Sequence, residues 1–156
     1  RFLSVLMIVL VLCCGCQRTV NPEQKGNITL YQMADDGSKL QSSEYEIQAD
    51  QEDNVAVIQE LLDCFKKCVA IDNFQLKEKQ LTITFLSSYY NQDKIDEVLN
   101  RAAIVKTLCQ LSSVEYVEFY VGDNPLVIDG ETVGIMSKLS FLDSVGGEGY
   151  TQEKYE

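Results

Sequence analysis

Residues 102–122, AAIVKTLCQLSSVEYVEFYVG, constrain this chain more than any other stretch. An apolar helical stripe runs up to Ser112 and Ser113. A strand follows within a few residues, with Val117, Phe119 and Val121 alternating against Tyr116, Glu118 and Tyr120. So short a link folds the helix back on its own strand, which sets a helix-on-sheet layer before any other contact is considered.

The rest of the pattern supplies partners for that layer. Residues 28–33, ITLYQM, have strand composition, Asp35-Asp36-Gly37 is a turn, and residues 40–48 carry Tyr45 and Ile47 at strand spacing, pairing back or running along the edge. Residues 50–54, DQEDN, then place acids at the start of a helix. Its stripe is Val55, Ile58, Leu61, Leu62, Phe65, Cys68 and Val69. Residues 70–79 read as a polar connection in which Ile71, Phe74 and Leu76 dip inward. Residues 80–86 alternate Leu81, Ile83 and Phe85 with Thr82 and Thr84, a half-buried strand.

The second helix changes face along its length. Ile95, Val98, Leu99 and Ala102 form one stripe, whereas Ile104, Leu108 and Leu111 add a second side near the C-terminal end. Such an end is either clamped between layers or left open for a partner, and core burial is the favoured alternative. Residues 122–125 turn, residues 126–128 return as a short strand, and Asp129-Gly130 turns again. The last apolar pieces are residues 132–135 and 139–142. The expected fold is α/β (α+β), a single compact domain over residues 27–143 with a small mixed sheet and two helices packed on one face. A flexible acidic tail over residues 144–156 is expected to fray.

Ahead of that domain, residues 2–12, FLSVLMIVLVL, are apolar but for one Ser and lead into Cys13-Cys14-Gly15-Cys16. Eleven residues fall short of the about 20 needed to span a bilayer, and suit the core of a signal peptide over residues 1–15. Gly15-Cys16 resembles a bacterial lipobox, in which the Cys is lipidated on sulfur and becomes the new N-terminus. A buried apolar helix or an ordinary cleaved secretory signal are the alternatives. A diacylglyceryl group on Cys16 buries two acyl chains at about 0.8 kcal/mol per CH₂, enough for stable anchoring. Residues 16–26 then form the lipidated Cys and a flexible polar tether.

Composition removes several function classes. The 156-residue chain contains no His, the commonest general base and metal ligand, and its formal charge is −11. A surface of that sign repels phosphate backbones and anionic headgroups, so no nucleic acid is expected as a partner. Cys64 and Cys68 stand i, i+4 on one helix, where neither a disulfide nor a metal shell forms easily. They and Cys109 are expected as buried thiols behaving as small hydrophobes. No nucleophile elbow, phosphate-cradling loop or Cys-x-x-Cys occurs in the domain. The acid pairs Asp35/Asp36 and Asp129/Glu131 sit in turns, so no catalytic residue, cofactor or metal site is expected.

The order of lipobox, tether, LYQM strand, LTITF strand, AAIVKTLCQLSSVEYVEFYVGDNPL and a closing SKLSFLD resembles the GerMN domain family of germination and sporulation lipoproteins. The likeness is most specific over residues 104–126, through Thr107-Leu108, Val114 to Val117, and Gly122. It departs after Leu61-Leu62, where Asp63-Cys64 stands in place of the family's common Gly-Pro, and in lacking a Pro-Gly-Thr turn before the middle strand. The resemblance implies a compact α/β domain related to ring-building modules of spore envelope complexes, with no established catalytic site to carry over.

The expected function is therefore binding: a non-enzymatic lipoprotein on the extracytoplasmic face of the membrane, meeting an envelope protein in sporulation or germination, with oligomerisation possible. The candidate contacts are Tyr116, Glu118 and Tyr120 on one sheet face and Ile104, Leu108 and Leu111 on the helix. The alternative is a ligand or cell-wall glycan binder with the tyrosines as a stacking platform. A hydrolase built on an unrecognised acid pair is the third and weakest reading, given the missing His.

Overall fold

The computed structural model describes residues 26–141. The expected signal peptide, Cys16, all but the last residue of the tether and the acidic tail lie outside the described residues. The element order is β1 (Asn27–Met33), β2 (Leu40–Glu46), α1 (Asn54–Asp63), β3 (Ile71–Lys77), β4 (Gln80–Phe85), a 3-10 turn (Ser87–Asn91), α2 (Lys94–Leu108), β5 (Tyr116–Val121), then four two-residue strands. These are β6 (Asn124–Pro125), β7 (Val127–Ile128), β8 (Glu131–Thr132) and β9 (Met136–Ser137).

The main sheet runs β3-β4-β5-β6, with β9 also pairing to β5. It is mixed: β3 and β4 are antiparallel, whereas β4 and β5, separated in sequence by α2, are parallel. Alternation in β4 and β5 places Leu81, Ile83, Phe85, Val117 and Phe119 on one face, each 2% exposed or less. Val57, Ile58, Leu61 and Leu62 of α1 and Ala103, Ile104, Val105 and Leu108 of α2 join the same core. At roughly 1.5–3 kcal/mol for each fully buried large aliphatic or aromatic side chain, this cluster is the main favourable term in folding.

β1 and β2 form a separate antiparallel hairpin. Its turn uses Gly37 at φ +67°, the left-handed region that a side chain disfavours. The Asp36 carboxylate accepts from both the backbone N–H and the hydroxyl of Ser38, which holds its pKa below the usual range. On the side of β1 away from β2 lies α2. The Gln110 amide accepts from the N–H of Thr29 (3.1 Å) and donates to its carbonyl (2.7 Å), as a neighbouring strand would. The fully buried Thr107 hydroxyl accepts from the N–H of Tyr31 at 3.0 Å. Backbone groups that an edge strand leaves unpaired are thus answered by the end of α2 and the turn after it.

Local chemistry sets the remaining ends. The Asp53 carboxylate caps α1 by accepting from the N–H groups of Val55 and Ala56, each at 3.0 Å. Glu60, in the middle of α1, accepts from Tyr45 Oη (2.8 Å) and from the backbone N–H groups of Gln48 (2.9 and 3.1 Å) and Ala49 (2.6 Å). That carboxylate fastens the strand-to-helix loop onto α1.

Several expectations need correction. Residues 71–77 are a strand, β3, where a connection was expected; its two-residue alternation was weakened by the consecutive polar pair Asp72-Asn73, where the ladder is irregular. The first helix ends at Asp63, so Cys68 lies beyond it and is exposed, while Cys64 and Cys109 are half-buried. Val55 is 56% exposed, and Val57 takes its place in the core. Ile95 (67%) and Val98 (42%) also face outward, because the buried side at the start of α2 is used by Glu97, Leu99 and Asn100.

Candidate functional site

The surface left over when β4 and β5 bury their apolar sides is the open face of the main sheet. Register brings its side chains into rows. Lys77, Gln80 and Tyr116 form one, Gln75, Thr82 and Glu118 the next, and Asn73, Thr84 and Tyr120 the third. Every member of this grid is half-buried or exposed. Tyr116, Glu118 and Tyr120 therefore share one open face, as their period-two spacing predicts.

Two hydrogen bonds order the grid. Glu118 accepts from the Gln80 amide at 2.9 Å and from the Tyr120 hydroxyl at 3.4 Å. Tyr116, 42% exposed, has its phenol pKa raised by a hydrogen bond to Glu115 and by that residue's charge. Glu115 in turn lies 3.7 Å from Lys79. At this end of the face a hollow of about 600 Å³ opens between the β3–β4 turn and β5, lined by Gln75, Lys77, Gln80 and Tyr116 among others.

The helix candidates divide. Ile104 and Leu108 are 0% exposed and belong to one core cluster with residues of β1, α1, β4 and β5, so they cannot present a contact surface. Leu111 is half-buried and lines a different hollow, at the start of β1. Cys16 lies outside the described residues. Sequence reasoning missed Asn73, Gln75 and Lys77, which complete the open face. The signal was their alternation with Phe74 and Leu76, obscured at the first strand residues.

The acid pairs of the sequence lie in turns. Asp35 and Asp36 are exposed in the β1–β2 turn; Asp129 and Glu131 are exposed around the β7–β8 turn, where Asp129 accepts from Lys94 at 2.7 Å. The buried Glu97 is held by Arg101 through Nε (2.7 Å) and a second guanidinium nitrogen (2.9 Å), and by the Tyr89 hydroxyl (2.9 Å). Among the described residues, no group of three or more His, Cys, Asp or Glu is arranged to hold a metal ion. None of their helices is long and apolar enough to cross a membrane.

Comparison with known proteins places this architecture. Two similar solved structures come from the sporulation protein GerM of Bacillus subtilis. Its first GerMN domain aligns at a TM-score of 0.51 and 15% identity, over 65% of this chain and 86% of that one. The tandem GerMN domains align at 0.56 and 13% identity, over 81% of this chain and 51% of that one, so this chain spans about half the length of the tandem protein. Identities this low show a shared fold. A search of curated protein sequences found no match. Residues 29–127 match the Germane family, described as sporulation and spore germination. With most of the domain so matched, from β1 to β7, the chain belongs to the Germane family and is a GerMN-domain protein.

Proposed function

We propose that this chain is a non-enzymatic binding module of the sporulation or germination envelope. A diacylglyceryl group on Cys16 holds it to the extracytoplasmic face of the cell membrane, and it captures a protein partner on the open sheet face. The observation that carries the reading is the continuity of that face with an unpaired edge. β3 is the outermost strand of the main sheet, with β4 on one side and no strand on the other among the described residues. A partner segment added there gains backbone hydrogen bonds from β3 and is read by Asn73, Gln75 and Lys77, with Tyr116, Glu118 and Tyr120 further in. Family membership supports the setting in spores, and the apolar run ending in Gly15-Cys16 supports the anchor.

The test places a photo-cross-linking residue at Gln75 or Tyr116, with Asp123 on the β5–β6 turn as control, in sporulating and in germinating cells. A discrete protein adduct from the face positions and none from the control is expected. Equal labelling from all three, or none from the face, contradicts the reading. Cys16→Ala is expected to move the protein from the membrane fraction to the soluble one; unchanged retention contradicts the anchor. Exposure of Tyr116 favours a second reading, a glycan stacked on the tyrosines, in which the face positions give no protein adduct and Tyr116→Ala abolishes retention on wall material.

A further inference from the structure

A second hollow, of about 430 Å³, lies where the start of β1, the N-terminal turn of α1 and the chain just after α2 meet. It shares no lining residue with the hollow beside Tyr116. From this cleft we infer a binding site for a neutral, acetamido-bearing saccharide. The inference stands apart from the partner proposed for the sheet face.

The lining carries the argument. Ile28, Ile47 and Val57, each 7% exposed or less, form an aliphatic floor. Around it stand Asn27, Gln51, Asn54, Gln110, Ser112 and Ser113. Charged residues make up 24% of the chain, yet none of the eleven lining residues is charged. Two of the neighbouring acids are turned to the backbone: Asp50 accepts from the N–H of Glu52, and Asp53 from those of Val55 and Ala56. The volume falls within the range of about 300–1,000 Å³ typical of small-molecule sites.

Each feature selects a chemistry. An anion finds no cation in the cleft and meets a protein of net charge −11 on approach. A cation finds no carboxylate. A carboxamide offers both donors and an acceptor, and a hydroxyl one donor and two acceptor lone pairs, so the rim matches a ligand dense in hydroxyl and amide groups. The aliphatic floor suits the C–H face of a pyranose ring or an acetyl methyl. Gln110 spends its amide donors within the protein, on the carbonyls of Thr29 (2.7 Å) and Lys106 (2.9 Å), and its oxygen accepts from the Thr29 N–H, which fixes the side chain at the rim and leaves only an oxygen lone pair for a ligand. The side chains of Asn27, Asn54, Ser112 and Ser113 have no hydrogen-bond partner among the described residues and remain available to a ligand. A peptide would need an extended groove with donors and acceptors at about 3.3 Å intervals, whereas this half-open hollow is bounded by the start of β1, the first turn of α1 and the chain just after α2.

The experiment is saturation-transfer NMR with a competition titration on the full chain. The probes are chitotriose, which is uncharged and N-acetylated, trigalacturonate as an acidic saccharide of the same length, and a neutral tripeptide amide. Chitotriose alone is expected to show transfer. Asn54→Trp and Ser113→Tyr, both on exposed or half-buried cleft positions, are expected to weaken it at least tenfold while leaving the thermal midpoint within a few degrees. Retention on insoluble chitin as well would assign the site to internal units of a glycan strand, and binding of the soluble trimer alone to strand ends or fragments. No transfer from chitotriose at millimolar concentration, equal transfer from trigalacturonate or the tripeptide, or wild-type affinity in both folded variants overturns the inference.

Discussion

Replacing either partner of the buried Glu97–Arg101 pair is expected to damage the fold more than replacing both. The two side chains sit one turn apart on α2 and are 6% and 12% exposed. Tyr89, 1% exposed, donates to the same carboxylate and stacks on Phe85 with ring centroids 4.0 Å apart; Phe85 in turn stacks on Phe119 at 5.4 Å. The guanidinium also reaches Met136 Sδ at 3.7 Å and lies over the Phe141 ring at 5.9 Å. One ion pair therefore ties the 3-10 turn, α2, β9 and the chain after it. Arg101→Met leaves a buried carboxylate with a single hydroxyl donor, and Glu97→Leu leaves a buried guanidinium without its acid. Breaking a buried pair costs about 3–5 kcal/mol, a large part of the 5–15 kcal/mol that typically holds a domain together. Glu97→Leu with Arg101→Met removes both charges and strands only the Tyr89 hydroxyl, for about 1–3 kcal/mol. The assay is urea unfolding followed by far-ultraviolet circular dichroism and by tyrosine fluorescence, since the chain has 8 Tyr and no Trp. Single variants within about 0.5 kcal/mol of wild type, the worth of a solvated i, i+4 pair, would refute the reasoning, as would strict additivity in the double variant.

Three further outcomes follow from other contacts. Burial raises the Glu60 pKa, but the N–H groups of Gln48 and Ala49 and the Tyr45 hydroxyl outweigh it, so the folded value lies below the ordinary 4.5. The stability this adds is complete above about pH 4.5 and is lost as pH falls through the folded value; Glu60→Gln is expected to lose about 1–3 kcal/mol at pH 7 and to flatten the acid limb of a stability-against-pH curve. Thr107→Val keeps the shape but removes the acceptor of the Tyr31 N–H, for an expected loss of about 1–3 kcal/mol by urea titration, whereas a loss under 0.5 kcal/mol would mean that this edge of β1 does not need the bond. Cys68 is exposed, while burial raises the thiol pKa of Cys64 and Cys109, so iodoacetamide at pH 8 is expected to label Cys68 at least tenfold faster, as resolved by peptide mass spectrometry.

Periodicity made the core legible where one face of an element is apolar and the other polar. Leu81, Ile83 and Phe85 against Thr82 and Thr84, and Val117 and Phe119 against Glu118 and Tyr120, specify both strands and the face that stays open. Ile104 and Leu108 show the limit. Apolar residues on two sides of a helix end are equally consistent with a clamp and with a docking patch, and only the complete burial of Ile104 and Leu108 in the shared core decides for the clamp. Ile95 and Val98 misled for the converse reason. The start of α2 buries Glu97 and Asn100 through polar partners, Arg101 and Tyr89 for one and Gln92 for the other, and a hydropathy pattern assigns such residues to the outside. The bidentate pairing of Gln110 with Thr29 joins residues 81 apart and has no local signature at all.

Two edge strands of this domain, β1 of the hairpin and β3 of the main sheet, are treated differently, and that difference bears on what the main sheet is for. β1 would expose its N–H and C=O groups on the side away from β2, but Gln110 takes up both groups of Thr29 and Thr107 the N–H of Tyr31, which covers the middle of that edge. β3 has no such cover among the described residues. It carries two of the devices by which natural sheets limit unwanted pairing, a register irregularity between Ile71 and Asn73 and a Lys at its end, Lys77. Between them residues 73–76 keep a regular register with β4, with Phe74 and Leu76 directed to the core side and Asn73 and Gln75 to the open face. An edge guarded at both ends and bare in the middle admits a short strand in one register and resists indiscriminate stacking. That geometry suits selective capture of a partner segment better than open-ended polymerisation through β3.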